Sequence, residues 1–156
     1  MREKTACFTG HRDIPKKDIR KTRKNTLNAI IKAYENGYRY FGSGGAVGYD
    51  LLAASCVLHL KKKYPDIKLI LVLPCRGQTK YWPESEIRKY ERILKKADKV
   101  VYTSENYFNG CMQKRNRHLV VNSSLCICYL TKNTGGTYYT VDYAKKNGLK
   151  IINTAI

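Results

Sequence analysis

Short apolar segments alternate with helical segments along this chain, and that alternation constrains its fold more than any other feature. Residues 67–73 form an almost continuous apolar run, which is typical of a strand buried on both faces in a parallel sheet. Apolar residues at helical spacing, ended by glycine or proline, indicate the intervening helices. The sequence therefore predicts an α/β fold, a three-layer α/β/α sandwich with a mainly parallel sheet of about six strands.

The predicted elements follow one another without a linker, an internal repeat or a low-complexity segment, so we expect a single domain over residues 1–156. Strands are predicted at residues 5–8, 38–41, 67–73, 99–102, 125–130 and 150–152. Helices are predicted from Pro15 to about residue 36, and at about residues 47–64, 84–97, 112–122 and 138–146.

The composition argues against several classes of protein. No apolar run reaches the length of a membrane span, and the first strand begins without a signal-peptide core, which favours a cytoplasmic protein with no membrane partner. The six cysteines include no C-x-x-C pair and no histidine at zinc spacing, so no metal site is predicted. Cys75, beside Arg76, could be a reactive thiol, but we favour buried structural cysteines.

The net charge is +18, from 30 basic and 12 acidic residues. Such an excess is typical of proteins that bind nucleic acid, and a solvated lysine-rich surface is the alternative. The main basic clusters, at residues 16–24, 61–63 and 95–96, fall on predicted helices and are spread along the chain rather than collected in one arm. We therefore rank nucleic acid below a small molecule as the partner.

A glycine-rich turn, residues 42–50 (GSGGAVGYD), joins the second strand to its helix. Four glycines within seven residues allow a sharp turn and a close approach to a ligand, and the helix N-terminus is expected to offer free N–H groups to a phosphate. Asp50 is expected to interact with those N–H groups or to accept a hydrogen bond from a sugar hydroxyl. The alternative is a turn whose glycines serve packing alone. Changing Gly44 and Gly45 together to valine is expected to abolish binding without unfolding the protein.

Two further loops leave strands in the same way. Residues 9–12 (TGHR) follow the first strand, and residues 135–137 (GGT) follow the fifth. Because parallel strands end at one edge of the sheet, the three loops are predicted to meet there around a nucleotide. A P-loop is excluded, since no Gly-Lys-Ser/Thr occurs, and the dinucleotide fingerprint would follow the first strand rather than the second.

Four motifs span almost the whole chain: TGHR (9–12), GGAVGYD (44–50), QKRNR (113–117) and GGT followed by TVDYA (135–137 and 140–144). In this order they resemble the YpsA-type branch of the SLOG superfamily. The resemblance implies a Rossmann-like fold and a nucleotide-derived ligand such as NAD or ADP-ribose, with no certain cofactor, and it makes a homodimer an expectation. Related proteins include DNA-processing protein DprA and the "lonely guy" phosphoribohydrolases.

The chain departs from the phosphoribohydrolases where their motif carries a glutamate, since Thr140 stands in that place. Cleavage of an N-glycosidic bond needs a carboxylate near the reacting carbon or water, and Asp50 and Asp142 are the remaining candidates. Catalytic residues therefore stay unassigned, and so does the question of whether this is an enzyme. The favoured function is ligand recognition by a sensor or regulatory protein. An N-glycosidase acting on nucleoside monophosphates or NAD and a DprA-like single-strand binder are the alternatives.

Several side chains have specific expected roles. Arg12 is expected to bind a phosphate through two parallel hydrogen bonds rather than pair with Asp13 or Glu3. Thr137 is expected to cap the last helix. Tyr49 and Trp82 are candidates for stacking on a base, for the rim or for a dimer contact. The predicted ligand-binding set is Thr9, Gly10, His11, Arg12, Gly44, Gly45, Gly48, Asp50, Arg115, Asn116, Gly135, Gly136 and Thr137.

Overall fold

The computed structural model describes residues 1–156 and contains six strands and five α-helices in strict alternation, after a short 3-10 turn at Arg2–Lys4. No helix is both long and apolar enough to span a bilayer. The strands are β1 (Thr5–Gly10), β2 (Tyr40–Ser43), β3 (Lys68–Leu73), β4 (Lys99–Tyr102), β5 (Leu125–Tyr129) and β6 (Lys150–Asn153). The helices are α1 (Lys16–Glu35), α2 (Tyr49–Lys61), α3 (Glu84–Lys96), α4 (Cys111–Val121) and α5 (Gly136–Lys146).

All strand pairs are parallel, and the spatial order is β4-β3-β2-β1-β5-β6. The chain builds outwards from β1 to β4 and then crosses back to β5 beside β1. Right-handed crossovers place the helices of these two halves on opposite faces, so α1, α2 and α3 pack together on one face and α4 and α5 on the other. The predicted α/β sandwich is confirmed, and the strand order reverses between β1 and β5.

Alternating side chains of the strands supply two cores. The larger core lies between the sheet and α1–α3 and includes Phe8, Phe41, Leu69 and Leu71. Val72, the neighbour of Leu71, points to the other face and joins the smaller core under α4 and α5. This period of two shows why β3 is apolar almost throughout its length.

Four of the six cysteines belong to these cores. All six are buried and free, and Cys7, Cys126 and Cys128 pack together in the smaller core. Burial raises the pKa of the Cys75 thiol, which disfavours the reactive thiolate. Its burial agrees with a structural role for Cys75.

Two predicted boundaries at the glycine-rich turn are wrong, each because of a local backbone constraint. Strand β2 begins at Tyr40 rather than at residue 38, since the Tyr38 N–H closes the end of α1 by bonding the Ala33 carbonyl, after Gly37 at φ +96°. Helix α2 begins at Tyr49 rather than at residue 47, because Gly48 has φ +92° and is not helical. The helix also ends at Lys61, three residues before the predicted end.

Candidate functional site

A cavity of about 270 Å³ opens at the carboxyl ends of the strands, where the strand order reverses. The loops after β1, β2 and β5 all reach it, so the three loops singled out by sequence meet at one edge of the sheet. The N-terminal half of α4 closes another side. The lining residues are Thr9, Gly10, His11, Arg12, Ala46, Asp50, Met112, Arg115, Asn116, Gly136 and Thr137.

Nine of the thirteen predicted residues line this cavity. The other four, Gly44, Gly45, Gly48 and Gly135, do not. Sequence reasoning missed Ala46 and Met112. Ala46 lies inside the glycine motif, and Met112 precedes Arg115 by one helical turn on α4, so helical spacing could have identified it.

The glycines of the loop between β2 and α2, residues 44–48, are enclosed by other parts of the protein, and we call this segment the packed loop. A Cβ atom at Gly48 would overlap the Arg12 backbone, and one at Gly44 would overlap the guanidinium of Arg115. Gly45 has φ +68°, and a Cβ there would lie 2.9 Å from Leu73. The packing role considered for these glycines is therefore present. The expectation that valine at Gly44 and Gly45 leaves the fold intact is wrong.

The N-terminus of α2 is largely closed as an anion site. The Tyr49 N–H donates to the His11 carbonyl at 3.1 Å, and the Leu51 N–H donates to the Ala46 carbonyl at 3.2 Å. Asp50 Oδ2 accepts from the Ala46 N–H at 3.3 Å. Asp50 thus meets one backbone donor as expected, but the prediction of a freely exposed set of N–H groups at this helix is wrong.

Arg115 and Asp50 are buried charges beside the packed loop. Arg115 is only 4% exposed. Its Nη1 donates to the Gly44 carbonyl, and its Nε donates to Asn116 Oδ1 at 2.8 Å. Burial raises the pKa of the Asp50 carboxyl and lowers the pKa of the Arg115 guanidinium, while the attraction between the two opposes both shifts. Arg115 therefore fixes the packed loop as well as lining the cavity.

The loop between β5 and α5, residues 130–136, is open, and we call it the open loop. Gly135 is the N-cap of α5, with φ +95°, and no side chain caps the helix. A Cβ atom at Gly135 or Gly136 would meet nothing within 4 Å. The prediction that Thr137 is the N-cap is wrong, because Thr137 is the second residue of the helix.

The first turn of α5 has unpaired backbone donors. The Tyr139 N–H donates to the Gly135 carbonyl at 3.1 Å, whereas the N–H groups of Gly136, Thr137 and Tyr138 make no hydrogen bond. Free N–H groups at the positive end of a helix dipole bind anions. Gly136 and Thr137 line the cavity, so the free donors expected at the start of α2 are found at the start of α5 instead.

His11 forms hydrogen bonds both at the end of the packed loop and in the open loop. Its backbone carbonyl accepts from Tyr49, and its Nε2 accepts from the Thr131 N–H at 2.9 Å. Because Nε2 is an acceptor, the proton of the neutral ring is on Nδ1. Burial, and then the nearby charge of Lys132, lower the pKa of His11.

Arg12 is exposed and makes no hydrogen bond or ion pair. Glu3 instead pairs with the N-terminal amine, and Asp13 forms no ion pair. The alternative in which Arg12 is held by Asp13 or Glu3 is therefore excluded. Its guanidinium is free at the mouth of the cavity.

The aromatic candidates lie elsewhere. Tyr49 is fully buried, with its hydroxyl 3.0 Å from that of Thr26, so its predicted stacking or rim role is wrong. Trp82 packs edge-on against Tyr90 at 5.4 Å and does not line the cavity.

Few carboxylates lie at the cavity. Asp142 pairs with Lys146 on the surface of α5 at 3.0 Å, and the Thr140 hydroxyl donates to the Gly136 carbonyl at 2.8 Å. Asp50 is the one carboxylate among the lining residues.

Comparison with known proteins gives the family. The family model described as the YspA SLOG family matches residues 8–153. The chain belongs to the YspA SLOG family. A SLOG relative, the SPbeta prophage-derived protein YoqJ of Bacillus subtilis, is 33% identical over 141 residues, which are 81% of this chain and 82% of YoqJ. A UPF0398 protein of Halalkalibacterium halodurans is 33% identical over 120 residues, or 75% of this chain and 64% of its own length.

Two solved structures share the fold of this SLOG protein. DNA processing protein A (DprA) of Streptococcus pneumoniae matches 96% of the chain with a TM-score of 0.68 and 18% identity. DprA of Helicobacter pylori matches 94% with a TM-score of 0.67 and 20% identity. This chain covers 49% and 63% of those proteins. At such identities the likeness shows the fold alone.

Proposed function

We propose that this SLOG protein binds a nucleotide or nucleotide-derived ligand, similar to ADP-ribose or NAD, at the carboxyl edge of its sheet, and acts as a sensor or regulatory protein. One observation carries the proposal. The unpaired N–H groups at the start of α5 and the unpaired guanidinium of Arg12 border the same small cavity. Both groups favour a phosphate.

The polar groups around the cavity differ from one side to the other. Arg12 and the first turn of α5 supply donors for phosphate oxygens. Asp50 supplies an acceptor for a ribose hydroxyl, since Oδ2 is bonded to Ala46 and Oδ1 accepts no hydrogen bond. Asn116 uses its Oδ1 for Arg115, which leaves its amide N–H₂ as a further donor. A sugar phosphate needs this combination of donors and an acceptor.

The size of the cavity limits how much of the ligand it holds. Its volume of about 270 Å³ lies just below the usual range for complete small-molecule sites, roughly 300–1,000 Å³. A ribose phosphate is therefore the part enclosed. The rest of a larger ligand extends over the adjoining open surface formed by residues 130–134 and Tyr138.

The arrangement of carboxylates favours recognition over hydrolysis. Cleavage of an N-glycosidic bond requires a carboxylate beside the reacting centre. Thr140 is engaged with the Gly136 carbonyl, and Asp50 is buried against Ala46 and Arg115. An N-glycosidase would depend on Asp50, and the release of free base would reveal it.

A nucleic-acid partner is the second candidate. The charge of +18 favours it, as does the fold shared with DprA of Helicobacter pylori, which is described with a single-stranded DNA binding mode. The cavity itself offers little to a strand, because no phenylalanine, tyrosine or tryptophan lines it and bases would lack those stacking platforms.

The decisive experiment is calorimetry and thermal denaturation with ADP-ribose, NAD and AMP. We expect at least one of them to stabilise the wild-type protein, and Arg12→Ala to weaken its binding about 10- to 100-fold, since a charged hydrogen bond contributes about 1.5–3 kcal/mol. Arg117→Ala is the matched control, because Arg117 is exposed on α4 and does not line the cavity. Failure of all three ligands to bind, or equal affinity in Arg12→Ala, would contradict the proposal. Chromatography of the same mixtures should detect no free base.

A further inference from the structure

A second concave surface lies between α2 and α3, on the side of the protein away from the smaller core. Helix α1 contributes one residue to it. We call it the basic groove. Its volume is about 610 Å³. Six lysine and arginine side chains and one histidine line it, and no aspartate or glutamate does. The lining residues are Arg23, Leu51, Ser55, Leu58, His59, Lys61, Lys62, Lys89, Arg92, Ile93 and Lys96.

Most of this charge is not neutralised within the protein. Lys61 pairs with Asp98, and Lys89 pairs with Glu86 at 3.4 Å. The other four cations, Arg23, Lys62, Arg92 and Lys96, have no carboxylate partner. Like charges in one groove repel one another, so an anion bound there is favoured.

The crossovers of the fold bring these cations together. Arg23, Lys62 and Lys96 come from sequence clusters that are tens of residues apart. Because α1, α2 and α3 cover the same face of the sheet, the three clusters meet on one surface. The spread of these clusters along the chain weakened the expectation of a nucleic-acid partner. In the folded protein, however, the clusters lie side by side.

The basic surface continues beyond the groove. Arg92 also lines a neighbouring depression on α3 with Arg88, Glu91 and Lys95, where Arg88 pairs with Glu84 and Lys95 has no carboxylate partner. A small anion would occupy the groove alone, whereas a long polyanion would use the cations on both sides of Arg92. The continuation favours a polymer.

We propose that the basic groove binds the sugar–phosphate backbone of a nucleic-acid strand, without sequence preference. No phenylalanine, tyrosine or tryptophan lines the groove, so stacking of bases on these side chains makes no contribution there. The contacts are therefore with phosphates, and affinity depends steeply on salt. This surface is separate from the cavity at the carboxyl edge, and the proposal is independent of the nucleotide ligand.

The test is fluorescence anisotropy with labelled oligonucleotides of about 20 nucleotides, single-stranded and duplex, over a range of salt concentrations. The groove variant combines Lys62→Gln, Arg92→Gln and Lys96→Gln. The control combines Arg117→Gln, Lys145→Gln and Lys150→Gln, which are exposed positions on or beside the opposite helical layer. Both variants lose three positive charges, so they differ only in where the charge is lost.

We expect the groove variant to bind about tenfold or more weakly than wild type, and its log–log salt slope to be smaller by about 2–3, at roughly 0.7–0.9 per phosphate contact. The control should bind within about twofold of wild type, and Arg12→Ala should bind normally. Circular dichroism checks that each variant is folded. Equal losses in the two triple variants, or no binding by wild type at about 0.1 M salt, would overturn the proposal. So would poly-glutamate binding as tightly as the oligonucleotides, which would assign the groove to an acidic protein.

Discussion

The packed loop and the open loop look alike in sequence, since each carries neighbouring glycines between a strand and a helix, but they differ in what surrounds those glycines. At Gly44 and Gly48 a side chain would overlap Arg115 or the backbone of Arg12, whereas at Gly135 and Gly136 it would meet empty space. The helix behind the packed loop has the N–H groups of Tyr49 and Leu51 bonded to protein, whereas the first three N–H groups of the helix behind the open loop are free.

This difference separates two uses of glycine. In the packed loop the missing side chains allow one protein segment to lie against another. In the open loop they leave backbone donors accessible to a ligand. Four measurements can test that division, in order of decreasing expected effect.

Arg115→Met should be the most damaging change, because it removes the donor to the Gly44 carbonyl and the attraction of a buried guanidinium for the buried Asp50 carboxyl. Removing one of two interacting buried charges costs about 3–5 kcal/mol. Urea denaturation will measure the free energy of unfolding, with Arg117→Met as the control on the same helix. A variant of normal stability that has lost only ligand binding would show that Arg115 does not support the packed loop.

Gly48→Ala tests the packed loop directly. The new Cβ atom would press on the Arg12 carbonyl at a residue with φ +92°, and overpacking together with backbone strain should cost about 3 kcal/mol. The same denaturation experiment measures it. If the variant were as stable as wild type, the close contact between the packed loop and the Arg12 backbone would not exist in solution.

Gly136→Ala is the matched change in the open loop, and its effect on stability should have the opposite sign. Alanine is the better helix former by up to about 1 kcal/mol, and the added methyl group meets no protein atom within 4 Å. Stability should therefore stay the same or rise. The affinity for ADP-ribose should fall, because the methyl group lies at the cavity wall. A loss of stability as large as that of Gly48→Ala would remove the distinction between the loops.

His11, which bonds to both loops, should give a small pH effect. Its pKa is lowered in the folded protein, chiefly by burial, whereas in the unfolded chain it is about 6.5. The unfolded state therefore binds more protons in this range, so stability is full above about pH 6.5 and decreases as pH falls towards the folded pKa.

NMR titration of the His11 ring will measure this pKa, and an anion bound in the cavity should raise it. His11→Gln should show a flatter dependence of stability on pH than wild type. A ring that titrates above about 6.5 without ligand would contradict the assignment of Nε2 as the acceptor for Thr131.

Local patterns in the sequence were sufficient for the order of elements and for the meeting of three loops at one edge. The TGHR motif was also sufficient to single out Arg12, which is exposed in the first loop. The roles of Gly48 and Tyr49 could not be predicted, because they depend on what lies opposite them: the backbone of Arg12 for one and the core around Thr26 for the other.

The basic groove, in contrast, could have been predicted from the sequence. Its clusters are visible in the sequence, and the right-handed crossover rule places α1, α2 and α3 on one face. That rule, applied to Arg23, Lys62 and Lys96, is sufficient to bring the three cations to one surface. The start of α5 at Gly136 rather than Tyr138, with Gly135 rather than Thr137 as its N-cap, does not follow from sequence in this way, since a glycine and a threonine can each be an N-cap.

Helix α2 belongs to both surfaces. Asp50, in its first turn, lines the cavity, and Lys61, at its last position, lines the basic groove. With a rise of 1.5 Å per residue, these two residues are about 17 Å apart along one stiff rod. The basic groove also includes Leu51, the direct neighbour of Asp50, so the two surfaces come close together at the first turn of this helix, and a displacement of the rod would be felt at both.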